Sequence, residues 1–269
     1  MTSAPCAAPP GTQSVLQQDD LRFLILGELH GTMQAPLSFA EIVCEAAASG
    51  PVIVGIERGQ AYQAPFQKVL DSDGGTVALD ALVQNGFDGS QWGLSSEGMR
   101  DMFRRLQAVQ AATGNLTIET FQQTIPADLA RKMLDDSKPY DQTDYEKHLA
   151  ASLVAASEAQ PEAIVVVLVG SAHASRETRV VQRPDRTDFD PMAMHLPDKE
   201  TLSFLMIHDG GSAWNCTADG CGAKELPPLM GGPIGLDLSY SEDRGTFDGG
   251  WSVGSITAAA PVGIRKADE

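Results

Sequence analysis

Five short apolar runs constrain the fold of this chain more than any other feature. They occupy residues 21–26, 51–56, 116–121, 164–169 and 202–207. Runs of about six apolar residues have the length of strands buried on both faces rather than of helices. Between them lie stretches with helical spacing of apolar residues, at 36–48, 62–70, 77–84, 97–112, 126–136 and 143–159. Ser38 with Glu41, and Thr143 with Glu146, have the spacing of capping boxes, and Ser96 is a candidate cap for 97–112. Gly50 and Gly114 supply stops. The opening order of strand, helix, strand is a βαβ unit, which requires parallel strands and a right-handed crossover. The expected class is α/β: a doubly wound, mostly parallel central sheet with flanking helices and a β-rich C-terminal extension. The chain of 269 residues divides into a disordered segment 1–18, an α/β domain 19–209 carrying the site, and a β-rich extension 210–269 packed on that domain. Residues 176–199 read as a long irregular loop, which in a compact domain is either functional or mobile.

Doubly wound sheets bind ligands beyond the carboxyl ends of their strands. Two of the runs end there in the same way. The first breaks into Gly27-Glu28-Leu29-His30 and the fourth into Gly170-Ser171-Ala172-His173. Glycine permits a sharp turn and close approach, and strand ends hold polar groups in fixed geometry. A third run ends in Glu57-Arg58. An imidazole can serve as a general base, a nucleophile's partner or a metal ligand, and a nearby carboxylate can orient it. Taken singly, a histidine after a strand is more often a turn residue, a sheet-edge carboxylate is often only solvated, and Arg58 can simply neutralise Glu57. The coincidence of three strand ends points instead to one site. Arg100, Arg104 and Arg105 lie on an amphipathic helix where a solvent face is the commoner outcome, although Arg100 is also a candidate for anion stabilisation. His195 in the irregular segment is a candidate to close over the site, and His208 after the fifth run a candidate to join it. His148 has the setting of a surface helix.

Charge narrows the partners. Asp and Glu number 36 against 19 Lys and Arg, a formal net charge of −17. Such a surface repels phosphate backbones and anionic lipid, so no nucleic acid is expected; a small-molecule or peptide substrate, or a metal ion, remains. No apolar run reaches the ~20 residues that cross a bilayer. The first twenty residues carry neither a basic start nor an apolar signal core. Cys216 and Cys221 flank a polar Asp-Gly bend that suits a disulfide-closed hairpin, with free thiols or a metal as the other readings. A bridge there implies an oxidising compartment, periplasmic or secreted. Cys44 reads as plain core, and Cys6 is undetermined. Oligomeric state leaves no trace in the sequence.

Leu26-Gly27-Glu28-Leu29-His30-Gly31-Thr32, the later Glu57 and Val169-Gly170-Ser171-Ala172-His173 together resemble a superfamily. It includes the erythromycin esterases, the ChaN-type haem-binding lipoproteins and the TraB/TIKI proteins. The likeness covers roughly residues 21–207; the segment 191–197 also looks like the stretch after the second motif in relatives, and Ser171 stands where many of them carry Asn. The resemblance implies an α/β fold and one of three roles. The esterases are hydrolases in which a histidine of the first motif activates water. The TIKI-type proteins resemble metal-dependent peptidases using both motifs, and the ChaN-like proteins bind haem without catalysis. In the hydrolase reading His30 deprotonates water, Glu28 or Glu57 orients it or shares the proton, and His173 with Arg58 or Arg100 stabilises the oxyanion on an ester or amide. In a metal-assisted variant His30, His173 and Glu57 hold a divalent ion. The alternative is a non-catalytic protein for haem or another small ligand, with Tyr62 a distant candidate axial ligand.

Overall fold

A computed structural model describes residues 5–72, 76–85, 93–133, 139–217, 219–240 and 246–262. In chain order the elements are α1 (Thr12–Leu16), β1 (Phe23–Glu28), α2 (Gln34–Ser49), β2 (Val52–Gly59), α3 (Gln63–Leu70), α4 (Thr76–Asn85) and α5 (Glu97–Thr113). There follow β3 (Leu116–Gln122), α6 (Ala127–Met133), α7 (Thr143–Ala159), β4 (Ile164–Gly170) and α8 (Ser171–Ala174). The last are β5 (Thr201–Ile207), β6 (Gly211–Thr217), β7 (Gly220–Leu226), β8 (Gly235–Asp237) and β9 (Gly249–Ser252). The central sheet has the order β3-β2-β4-β1-β5-β9-β8. All its pairings are parallel except β8 on β9.

The apolar runs form strands because both faces are covered. Leu24, Leu26, Val54, Ile56, Val166 and Leu168 pack with Phe39, Ile42, Met102, Phe103 and Leu106 of α2 and α5 on one side. Ile25, Ile53, Val165 and Val167 pack with Leu149 and Leu153 of α7 on the other. Each such side chain, fully buried, contributes about 1.5–3 kcal/mol. The β-branched run of β4 lies between β2 and β1, inside the sheet and buried from Val165 to Gly170.

At the β3 edge, glutamine side chains replace a neighbouring strand. Gln110, Gln67 and Gln63 accept the N–H groups of Leu116, Ile118 and Thr120 at 2.8, 2.9 and 2.7 Å, and Gln63 also donates to the Ile118 carbonyl. An edge satisfied in this way has no free row of groups for a foreign strand.

Several expectations are corrected. The N-terminal segment is not disordered over its described length. It carries α1 with Thr12 and Val15 buried, and the Pro10 carbonyl accepts the Leu236 N–H at 2.8 Å. Cys6 is bonded to Cys44, with Cα atoms 5.6 Å apart, so Cys44 is not plain core. Helix α2 starts at Gln34, before Ser38. Ser38 instead accepts the Trp251 indole N–H at 2.9 Å, and Glu41 binds Arg105 at 2.7 Å. Ser96 does cap α5, accepting the Met99 N–H at 3.4 Å. The segment 210–269 adds β8 and β9 to the central sheet, while β6 and β7 form a separate antiparallel hairpin. Cys216 and Cys221 are bonded cross-strand partners in that hairpin. Two bonded pairs are compatible with an extracellular location. Within 176–199, Met192 and Ala193 are buried in a 3-10 turn at Met192–His195. Most of the loop expected at 85–94 lies outside the described residues, as does the end of the helix expected at 126–136. No helix among the described residues is long and apolar enough to cross a membrane.

Candidate functional site

Three adjacent strands, β2, β4 and β1, deliver the polar groups to one end of the sheet. Glu28 closes β1 directly opposite Gly170, which closes β4. His30 follows two residues beyond Glu28, and His173 lies in the short helix α8 that β4 enters. The register of β2 against β3 shifts between Ile56 and Gly59, where Glu57 and Arg58 fall. A bulge of this kind re-aims side chains at a strand end.

The side chains form an alternating row of carboxylate and imidazole. Glu28 Oε1 lies 2.9 Å from His30 Nδ1. His30 Nε2 lies 3.5 Å from Glu57 Oε2, and Glu57 Oε1 lies 3.6 Å from His173 Nε2. His173 Nδ1 is 2.8 Å from both carboxylate oxygens of Glu146. The outer carboxylates assign the proton on each Nδ1, which turns both Nε2 edges toward Glu57. The inner distances are those of ion pairs, with water or a substrate oxygen able to mediate. Glu57 is held by the Gly170 N–H at 2.8 Å and by the Gln122 amide at 3.4 Å. A Cβ on residue 170 would stand 3.0 Å from His30 Nε2, which is why β4 ends in glycine here. Gly31, at φ +83°, makes the turn after His30 in the left-handed region, and its carbonyl accepts the N–H groups of Trp214 and Ala259, each at 2.8 Å.

Along the row the carboxylates are more deeply buried than the rings. The His30 side chain is 30% exposed and that of His173 15%, whereas Glu28 is 3% and Glu146 0% exposed. Burial alone would lower the pKa of His30. The hydrogen bond that the ring donates to Glu28 and the charges of Glu28 and Glu57 outweigh it and raise the pKa to about 9, with Arg58 opposing. For His173, burial again lowers the value, but the Glu146 hydrogen bond and the charges of Glu57 and Glu146 carry it above the ordinary one. Burial, then the charges of Glu57 and Glu146, raises the Tyr145 phenol. The row therefore favours the protonated form of both rings, that of His30 most strongly. Glu28 Oε2 is buried with no hydrogen-bond partner among the described residues.

His30, Glu28, Glu57 and His173 are thus brought together. Arg58 adjoins them, but its guanidinium binds the Leu94 carbonyl and, at 2.8 Å, Ser95 Oγ, and lies 5.8 Å from the centroid of the Tyr62 ring. Tyr62 itself packs on Phe66 with centroids 5.7 Å apart. Arg100 pairs with Asp101 at 3.1 Å and has no contact with the row among the described residues. His195 faces the Asp190 carbonyl at 3.2 Å, and His208 Nδ1 accepts the Gly210 N–H at 3.1 Å, so neither joins the row. Among the described residues no group of three or more His, Cys, Asp or Glu is arranged to hold a metal ion.

Glu146 escaped the sequence reading because Thr143-x-x-Glu146 has the form of a capping box. Helix α7 is in fact preceded by Gln142, with no side-chain cap. The usable signal was periodicity: Glu146 stands three, four and seven residues before Leu149, Ala150 and Leu153, on the buried stripe.

No protein-family model and no curated protein sequence matches the chain. Among solved structures it is similar to a protein from Bacillus cereus at 10% identity, over 94% of this chain and 92% of that one, with a TM-score of 0.53. It is also similar to the type III effector HopBA1 at 12% identity, over 94% and 99%, with a TM-score of 0.50. A mutant of the erythromycin esterase EreC in its open conformation aligns at 11% identity over 78% and 77%, with a TM-score of 0.47, too low to carry an argument. Likeness at such identities establishes a shared fold, and a fold hosts many chemistries.

Proposed function

We propose that the protein is a hydrolase that activates water at His30 for attack on an ester or amide carbonyl of a small molecule or peptide. One observation carries this reading: the Glu28–His30 dyad turns its imidazole Nε2 toward a second imidazole across Glu57. Glu28 holds the Nδ1 proton and so keeps Nε2 as the working nitrogen, the role an orienting carboxylate plays in a catalytic triad. Neutral Nε2 takes a proton from water as the oxygen adds to the carbonyl, and later returns it to the leaving group. His173, its pKa raised against burial by the Glu146 hydrogen bond and the charges of Glu57 and Glu146, offers an Nε2–H to the developing oxyanion in its protonated form. Glu57 lies between the two rings and keeps their charges compatible.

The raised pKa has a direct consequence. With His30 at about 9, on the order of one ring in a hundred is neutral at pH 7. Hydrolysis should therefore climb with pH and level off near 9. The test is release of p-nitrophenol from p-nitrophenyl acetate, followed by a panel of esters and amides, with His30→Ala alongside. A variant as active as the parent protein would end the assignment.

A further inference from the structure

We propose that Glu146 is a positioning residue of this site, acting through His173, and that with Thr143 it couples the segment around 190–192 to that histidine. The inference deepens the hydrolase reading and takes its reaction from it.

The Glu146 carboxylate is fully buried, so its charge must be met by donors inside the protein. Three meet it: His173 Nδ1 at 2.8 Å, the Met192 N–H at 2.8 Å and the Gln142 amide. His173 is the member of this set that can carry positive charge. The carboxylate thus selects the Nδ1–H form of His173 and sends Nε2 toward Glu57.

The same carboxylate oxygen that meets the Met192 N–H also meets the ring, at 2.8 Å in each case. One turn earlier on α7, Thr143 Oγ1 accepts the Asp190 N–H at 3.2 Å. Both members of the apparent capping box are therefore turned away from the helix end. They grip two backbone amides of the long segment between α8 and β5. Displacing 190–192 removes a donor from Glu146, and losing the charge on Glu146 frees both the ring and the segment.

The test uses the full chain with 15N-labelled histidine. In the parent protein, Nδ1 of His173 should carry a proton throughout pH 6–8; a ring protonated on Nε2 alone would overturn the proposal without any variant. Glu146→Gln should change the His173 nitrogen shifts, lower kcat on p-nitrophenyl acetate about 10–100-fold with little change in KM, and speed tryptic cleavage at Arg179 and Arg186. Glu146→Asp should recover part of both losses. Thr143→Val should speed the cleavage while leaving the ring signals in place. Unchanged His173 shifts in Glu146→Gln, or unchanged cleavage in both variants, would refute the coupling. If the ring and cleavage respond as stated but the parent protein hydrolyses nothing, the hydrolase reading falls and the coupling stands.

Discussion

The two histidines are supplied with their carboxylates in opposite ways. Glu28 and His30 are two residues apart at one strand end, so a short stretch of chain contains the whole dyad. Glu146 and His173 are 27 residues apart and meet only because α7 packs over the sheet beside β4. The local dyad is the more exposed, its ring 30% accessible against 15% for His173. The long-range dyad is buried and tied to a loop. A dyad formed within one turn can be built into many folds, whereas one formed between elements reports on whether those elements are in place. In the proposed hydrolase the chemistry falls to His30 and the registration of the site to His173.

The largest effect that would break this division is the loss of His30. His30→Ala should lower ester hydrolysis by about 10²–10⁴-fold, and His173→Ala by less. Equal losses in the two variants, measured as kcat/KM, would erase the distinction. Next in size, Glu28→Gln should reduce the plateau rate at high pH and move the rising limb of the pH–rate profile from near 9 toward the ordinary histidine range, because the hydrogen bond and charge of Glu28 hold the proton on the ring. A profile that keeps its midpoint would show that Glu28 is not the orienting group.

Stability should follow pH in a matching sense. The folded protein binds the His30 proton more tightly than the unfolded chain does, since the pKa rises from 6.5 to about 9. The stabilisation is complete below about 6.5 and is lost as pH rises through about 9. Thermal melts from pH 6 to 10 should fall in this window for the parent protein and fall less for His30→Ala. The smallest effect expected is that of Gly170→Ala. Its methyl group would stand 3.0 Å from His30 Nε2, so the ring must yield by a few tenths of an ångström. A few-fold loss of activity at a stability cost of about 1 kcal/mol sharpens the claim that β4 ends in glycine for the ring. An unaffected variant would remove it.

Much of the sheet was legible in the sequence because buried parallel strands leave an unbroken apolar run, as in β4. The twin Gly-x-x-His segments were legible for the same reason, since each is read against the strand that ends there. Glu57 was legible as a strand end, although its bulge was not. The failures share a cause. Thr143 and Glu146 matched a local rule, but bind partners 27, 46 and 47 residues away. Ser38 and Glu41 did likewise, bonding Trp251 and Arg105. Cys6 and Cys44 carry no mark of each other at a separation of 38 residues. Arg100 was placed by type and helix face, and Asp101 next to it takes its guanidinium.

By itself the sequence determined the α/β class, the parallel sense of the first strands and the delivery of two histidines and a glutamate to the carboxyl edge. Those properties follow from periodicity and chain stiffness, which act over a few residues. Only the tertiary structure decided that Glu57 lies between the two rings, that Glu146 stands behind the second, and that the end of the chain completes the sheet. Such contacts are set by which buried polar group finds which donor once water is excluded, and that choice is made in three dimensions.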